Sequence, residues 1–100
     1  MNDNKKIAYF SAEIGLSSDI PTYSGGLGVL AGDHIKASAD NGLNMVAITL
    51  LYKEGYFRQE IDDQGLQKEF YPSFDYDKYF DLIPNQVSIK LRGRNILINV

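Results

Sequence analysis

Cysteine is absent from the 100 residues, which excludes disulfides, thiolate metal sites and a cysteine nucleophile. Histidine occurs once, as His34, so a multi-histidine metal site has no ligands. No charge of one sign dominates: ten basic against thirteen acidic residues leave a net charge of −3. That balance gives no electrostatic case for nucleic acid. Long hydrophobic runs are missing too. The polar start, Met1 to Lys6, leads into a stretch too short for a signal-peptide core, and no run reaches membrane-spanning length. The expectation is a cytoplasmic chain with neither a membrane nor a nucleic-acid partner.

What is there suits a globular chain, with 44% hydrophobic and 12% aromatic residues. One hundred residues make at most one small domain. The last residues, Asn95 to Val100, read as a strand that stops inside an apolar run. This predicts a piece of a longer protein, with an apolar edge open to self-association and hence to a homo-oligomer.

The first half reads as α/β. Ile7 to Ser11 is a short apolar run bounded by polar residues, as for a buried strand. Glu13 to Ser24, with its Gly, Ser, Asp and Pro, reads as a loop. From Gly26 the apolar positions Leu27, Leu30, Ala31, Ile35 and Ala39 recur at helical spacing, and Asn41-Gly42 is a helix stop. Met45 to Leu51 is almost continuously apolar, which predicts a strand covered on both faces. Strand, helix and strand in that order form a βαβ unit with a right-handed crossover. Two hairpins are expected after it. Phe57 to Glu60 and Leu66 to Tyr71 flank the turn-rich Asp62-Asp63-Gln64-Gly65, and Gln86 to Leu91 and Asn95 to Val100 flank Arg92-Gly93-Arg94. Between the hairpins, Phe70 to Phe80 holds six of the twelve aromatics, a platform for sugar faces or a mixture of core and surface rings. Seven acids against two lysines in residues 60–83 argue against phosphate binding there.

The chemistry concentrates in Tyr23-Ser24-Gly25-Gly26-Leu27-Gly28, a glycine-rich turn opening into the helix. Glycines permit positive φ and close approach of backbone to a ligand. A helix start also presents unpaired N–H groups and a positive dipole end, an anion site in outline. Three readings stay open. The glycines serve a tight turn and close helix packing; or they form a dinucleotide fingerprint; or they wall a sugar-phosphate site. The second is weakened by spacing, because Gly26 lies fifteen residues beyond the strand end at Ser11, where the fingerprint requires the glycine at once.

The wider context carries a resemblance. Tyr9-Phe10-Ser11-Ala12-Glu13, then the run Tyr23 to His34 (YSGGLGVLAGDH), then Tyr52 to Gln59 (YKEGYFRQ), together resemble the N-terminal part of α-glucan phosphorylases of bacterial and archaeal type. The likeness is specific to about Gln59 and general beyond it. It implies the N-terminal part of a fold with two Rossmann-like domains facing across a cleft, residues 1–100 being the start of the N-terminal domain. It further implies transfer of a glucosyl unit between an α-1,4-glucan and orthophosphate, giving glucose 1-phosphate with retention. Pyridoxal phosphate is implied as cofactor, held on a lysine of a C-terminal domain outside this chain.

By this resemblance Gly25, Gly26, Leu27 and Gly28 wall the site, their N–H groups holding phosphate and the anomeric end of the sugar. Fixed N–H dipoles aimed at developing charge suit such chemistry. Glu13 either bonds sugar hydroxyls or the cleft water, or orders the 14–24 loop. His34, on the apolar stripe, reads as a packed, hydrogen-bonded side chain ahead of a catalytic one. Arg58 either reaches phosphate or makes a structural ion pair. No catalytic residue and no metal ligand is assignable, and activity of these residues by themselves is not expected. Rival readings are a glycogen or starch synthase, against which Tyr23 stands where those enzymes usually carry lysine, and a non-catalytic glucan-binding module.

Overall fold

The computed structural model describes residues 5–100. Strand β1 (Ile7–Phe10) is followed by helix α1 (Gly26–Asp40) and strand β2 (Met45–Ile48), and β1 pairs with β2 in parallel, Ile7 opposite Met45 and Phe10 opposite Ile48. A parallel pair needs a crossover connection, and α1 supplies it. The βαβ order expected from the sequence is therefore observed.

The ends of α1 follow from their residues. Gly25 is its N-cap, in an extended conformation at φ −146°. At the other end Gly42 takes φ +67°, its N–H bonds the Ala39 carbonyl, and the Leu43 N–H bonds the Ser38 carbonyl. This is the six-to-one and five-to-two pattern of a Schellman cap, which the left-handed conformation of Gly42 permits.

Two antiparallel hairpins complete the chain. Strands β3 (Arg58–Ile61) and β4 (Gln67–Phe70) are joined by a loop organised by Asp62, whose Oδ1 accepts the N–H groups of Gln64 (2.9 Å) and Leu66 (2.8 Å). A one-turn 3-10 helix (Tyr76–Lys78) sits within the aromatic stretch. Its rings cluster on one another: Phe74 stacks on Tyr79 at 5.4 Å and meets Tyr76 edge-on at 4.9 Å. The stretch is thus a small self-packed cluster, with the Tyr76 hydroxyl buried and its pKa raised by that burial.

Strands β5 (Gln86–Leu91) and β6 (Arg94–Asn99) are joined by the two residues Arg92-Gly93, at φ +47° and +77°. Positive φ at both central positions is the type I′ geometry that matches the twist of the strands, and Asn-Gly satisfies it best. Arg92→Asn is accordingly expected to slow amide exchange across β5 and β6 two- to five-fold, corresponding to roughly 0.5–1 kcal/mol. Unchanged protection would argue against strain at Arg92.

The sequence reading is corrected on burial. Only Ile14 and Ala31 are buried apolar residues among those described, and the radius of gyration is 17.4 Å. A compact domain of this length has about 13 Å. Packing between elements is confined to strand partners and to α1 on β2. The strand expected over Met45–Leu51 ends at Ile48, and it is not covered on both faces: Val46 and Ile48 are exposed. One helix and a single neighbouring strand cannot enclose it. The helix face is rotated as well. Its buried positions are Gly28, Ala31, Gly32 and Ser38, whereas Leu27 and Leu30 are exposed.

Candidate functional site

The rotation of α1 has a local cause. The loop after β1 turns back so that the Gly15 N–H donates to the Gly28 carbonyl at 2.8 Å, bringing loop backbone onto helix backbone. A Cβ on Gly32 would stand 2.0 Å from the Gly15 carbonyl oxygen, and one on Gly28 would stand 2.3 Å from the Tyr23 Cβ. Two glycines one turn apart form the seat that only small residues allow, and the leucines are turned away from it. Ile14 is buried beside this contact, its N–H donating to the Thr22 carbonyl (3.1 Å) while the Thr22 hydroxyl donates to the Ile14 carbonyl.

The seat fixes the glycine turn. Gly28 N–H and Val29 N–H donate to the Gly25 carbonyl, at 3.1 and 3.2 Å. The N–H groups of Gly26 and Leu27 have no hydrogen-bond partner among the described residues. Neither Gly25 nor Gly26 would bring an added Cβ within 4 Å of anything. The expectation of positive φ in this turn is not met: left-handed glycines occur at 42, 65 and 93. An extended cap followed by helix requires no such conformation. Gly28 and Gly25-Gly26 therefore differ in kind, the first fixed by packing and the other two facing open space.

Glu13 stands at the head of the helix. Its Oε1 accepts the Ser24 hydroxyl at 3.0 Å and the Tyr56 hydroxyl at 2.5 Å. The Tyr56 hydroxyl is the chief influence that holds its carboxyl pKa below the usual value; desolvation comes next and opposes it, and the Ser24 hydroxyl and the N–H groups of Ser24 and Gly25 add to the lowering. Glu13 is thus ionised at neutral pH. No acidic residue lies in the first turn of α1, so this carboxylate from another segment supplies the negative charge that a helix N-terminus favours.

The other sequence candidates lie elsewhere. His34 is exposed, not packed in the helix interface, and its ring leans on Tyr9 with centroids 5.1 Å apart. Its imidazole makes no hydrogen bond among the described residues, because the stripe that packs is the glycine one. Arg58 bridges Glu60 at 2.8 Å and stands over the Phe70 ring at 5.7 Å. This exposed pair is worth at most about 1 kcal/mol. Ser24 and Tyr56 lie in the glycine-turn and Tyr52–Gln59 motifs, but sequence does not reveal that both meet Glu13; an exposed tyrosine 43 residues from its carboxylate leaves no local signal.

Two cavities lie beyond the carboxyl ends of the parallel strands. One, of about 320 Å³, is lined by Phe10, Ser11, Ala12, Ile48, Thr49 and Leu50; the other, of about 310 Å³, by Tyr52, Glu54, Gly55 and Tyr56. In open α/β sheets, ligands bind at the carboxyl ends of the strands. Tyr56 joins the second cavity to Glu13 and so to the glycine turn. No group of metal-binding side chains occurs among the described residues. No described helix is long and apolar enough to cross a membrane.

Compared with known proteins, the chain is similar to phosphorylases. Over 94 residues it is 45% identical to maltodextrin phosphorylase of Thermococcus litoralis, a match covering 94% of this chain and 11% of that protein. It is 54% identical over 69 residues to glycogen phosphorylase of Mycobacterium tuberculosis, covering 69% of this chain and 8% of the relative. With glycogen phosphorylase of Aquifex aeolicus the identity is 40% over 90 residues, or 90% and 12% of the two chains. The chain is a homologue of these proteins along most of its own length, and it spans about a tenth of theirs. No protein-family profile matches the chain, and no solved structure does.

Proposed function

We propose that this chain is the N-terminal part of an α-glucan phosphorylase, a glycosyltransferase that converts glucan and orthophosphate to glucose 1-phosphate. The observation that carries the reading is the 45% identity to a maltodextrin phosphorylase over 94 residues. In this reading the βαβ unit begins a Rossmann-like domain, and the exposed apolar residues, among them Leu30 and Leu82, are covered by the rest of a phosphorylase-length chain. The protein works in the cytoplasm, and its partners are the glucan, phosphate and glucose 1-phosphate.

The glycine turn contributes backbone donors. Gly26 and Leu27 present free N–H groups at the positive end of a 15-residue helix, and Gly25 and Gly26 leave room for an oxygen to approach. The turn does not neutralise phosphate by itself. Glu13 is anionic beside it, and Arg58 is engaged by Glu60 and Phe70. The balancing cations come from the remainder of the protein, and the turn's part is to orient the phosphate and the anomeric end of the sugar. Glu13 holds the turn, and its carboxylate has acceptor capacity left for a sugar hydroxyl.

Pyridoxal phosphate, when bound, supplies the phosphate group that relays a proton in such enzymes. The residues described here do not fit it: all seven lysines are exposed, and none lines either cavity. Its attachment belongs to another part of the protein, and none of the roles given above passes through it.

The test is direct. The complete open reading frame, expressed and supplied with pyridoxal phosphate, is expected to release glucose 1-phosphate from maltodextrin and orthophosphate. Transfer of glucose from a nucleotide sugar to the glucan end, with release of the nucleoside diphosphate and no phosphorolysis, would replace this reading with the synthase one.

A further inference from the structure

Glu13 draws three distant segments onto one carboxylate: its own loop after β1, Ser24 eleven residues on, and Tyr56 forty-three residues on. Ser24 directly precedes Gly25 and Gly26, the two positions with open space around them. Among the described residues, the side-chain hydrogen bonds of residues 24–27 all converge on Glu13: the Ser24 hydroxyl donates to it, and the N–H groups of Ser24 and Gly25 face the same carboxylate. The turn is otherwise restrained from below, through Gly28 and Gly32, and not along its open edge. Whatever fixes the carboxylate therefore fixes that edge.

Tyr56 is more than half exposed, at 57%, so burial does not force its hydroxyl onto Glu13. It reaches the carboxylate from the segment that lines the second cavity. We propose that Tyr56 is a positioning residue for the glycine turn, its phenol holding the Glu13 carboxylate so that Glu13 in turn holds Ser24 and the donors of Gly26 and Leu27. The functional half of this proposal rests on the phosphorylase reading. The consequence is coupling: a ligand that displaces the Tyr52–Tyr56 segment shifts the donors at the head of α1. Phosphate and sugar then meet a turn whose N–H groups are already aimed, which is what preorganised donors require.

The test uses the full-length protein and the isosteric change Tyr56→Phe, which keeps the ring and removes the hydroxyl. Phosphorolysis of maltodextrin is expected to lose about ten-fold in kcat, the size of a small misplacement of donors, with the KM for glucan nearly unchanged. In a Glu13→Ala background the same change should have no further effect, since Tyr56 acts through Glu13. Amide exchange of Ser24, Gly25 and Gly28, the turn's bonded N–H groups, is expected to speed up in Tyr56→Phe irrespective of activity. Equal losses in both backgrounds, or unchanged exchange at the turn, would overturn the proposal. If the wild-type protein performs no phosphorolysis, the phosphorylase reading fails, and the exchange comparison still decides whether Tyr56 holds the turn.

Discussion

Gly32→Ala is expected to unseat α1 from the loop after β1. The added methyl carbon would lie 2.0 Å from the Gly15 carbonyl oxygen and 2.7 Å from its carbon. Both are backbone atoms, so no rotamer change relieves the clash. Neither can the loop slide freely, because the Gly15 N–H is bonded to the Gly28 carbonyl at 2.8 Å. Alanine favours the helix by about 1 kcal/mol over glycine. Forcing apart a close-packed contact costs about 1–3 kcal/mol, and more where nothing can yield. Here the clash is with unyielding backbone, so the net loss is put at about 2 kcal/mol, equivalent to roughly 30-fold in a local opening equilibrium. Hydrogen exchange in the full-length protein, read over residues 13–17 and 26–34, should accelerate by that factor. Gly15→Ala makes a milder control, with its nearest contact at 3.0 Å. If Gly32→Ala exchanges like the wild type, the backbone seat is not what positions α1.

That seat shows where sequence reading succeeded and where it stopped. The element order was legible because it depends on local signals: the helical spacing from Leu27 to Ala39, the Asn41-Gly42 stop, and the Asp62–Gly65 and Arg92-Gly93 turns. The buried face of α1 shares only Ala31 with the apolar stripe, because periodicity counts large apolar residues, whereas among the described residues α1 packs through Gly28 and Gly32 against loop backbone. A glycine stripe carries no hydrophobic signal. The burial of β2 was overread for a related reason: an apolar run reports what a strand can bury, not whether these residues supply the cover. For the site, the glycine turn stood out by composition. The Glu13–Tyr56 contact did not, because a hydrogen bond between residues 43 apart is a property of the fold. Arg58 illustrates the converse. Its ion pair with Glu60 joins residues two apart on one strand, a spacing that the sequence itself displays.

Gly26→Val is expected to abolish most of the activity while leaving the fold intact. A Cβ at Gly26 meets nothing within 4 Å among the described residues, and its φ is not in the left-handed region, so the branch point is uncrowded and the backbone unstrained. Valine in the first turn of a helix costs a few tenths of a kcal/mol at most, since the turn has no preceding residues to crowd. Stability and pyridoxal phosphate content of the full-length protein should therefore match the wild type. The isopropyl group, however, would occupy the space through which an oxygen reaches the Gly26 and Leu27 N–H groups. Loss of one preorganised donor of this type costs about 10²–10³ in kcat, so a fall of at least 100-fold is expected. The contrast with Gly32 is what makes the result decisive. At Gly32 a methyl group damages the seat and any loss of activity is secondary; at Gly26 an added Cβ meets nothing among the described residues, so a loss at unchanged stability and cofactor content comes from what binds there. A Gly26→Val enzyme with near-normal turnover would remove the glycine turn from the site and leave Gly25 and Gly26 with a turn-forming role alone.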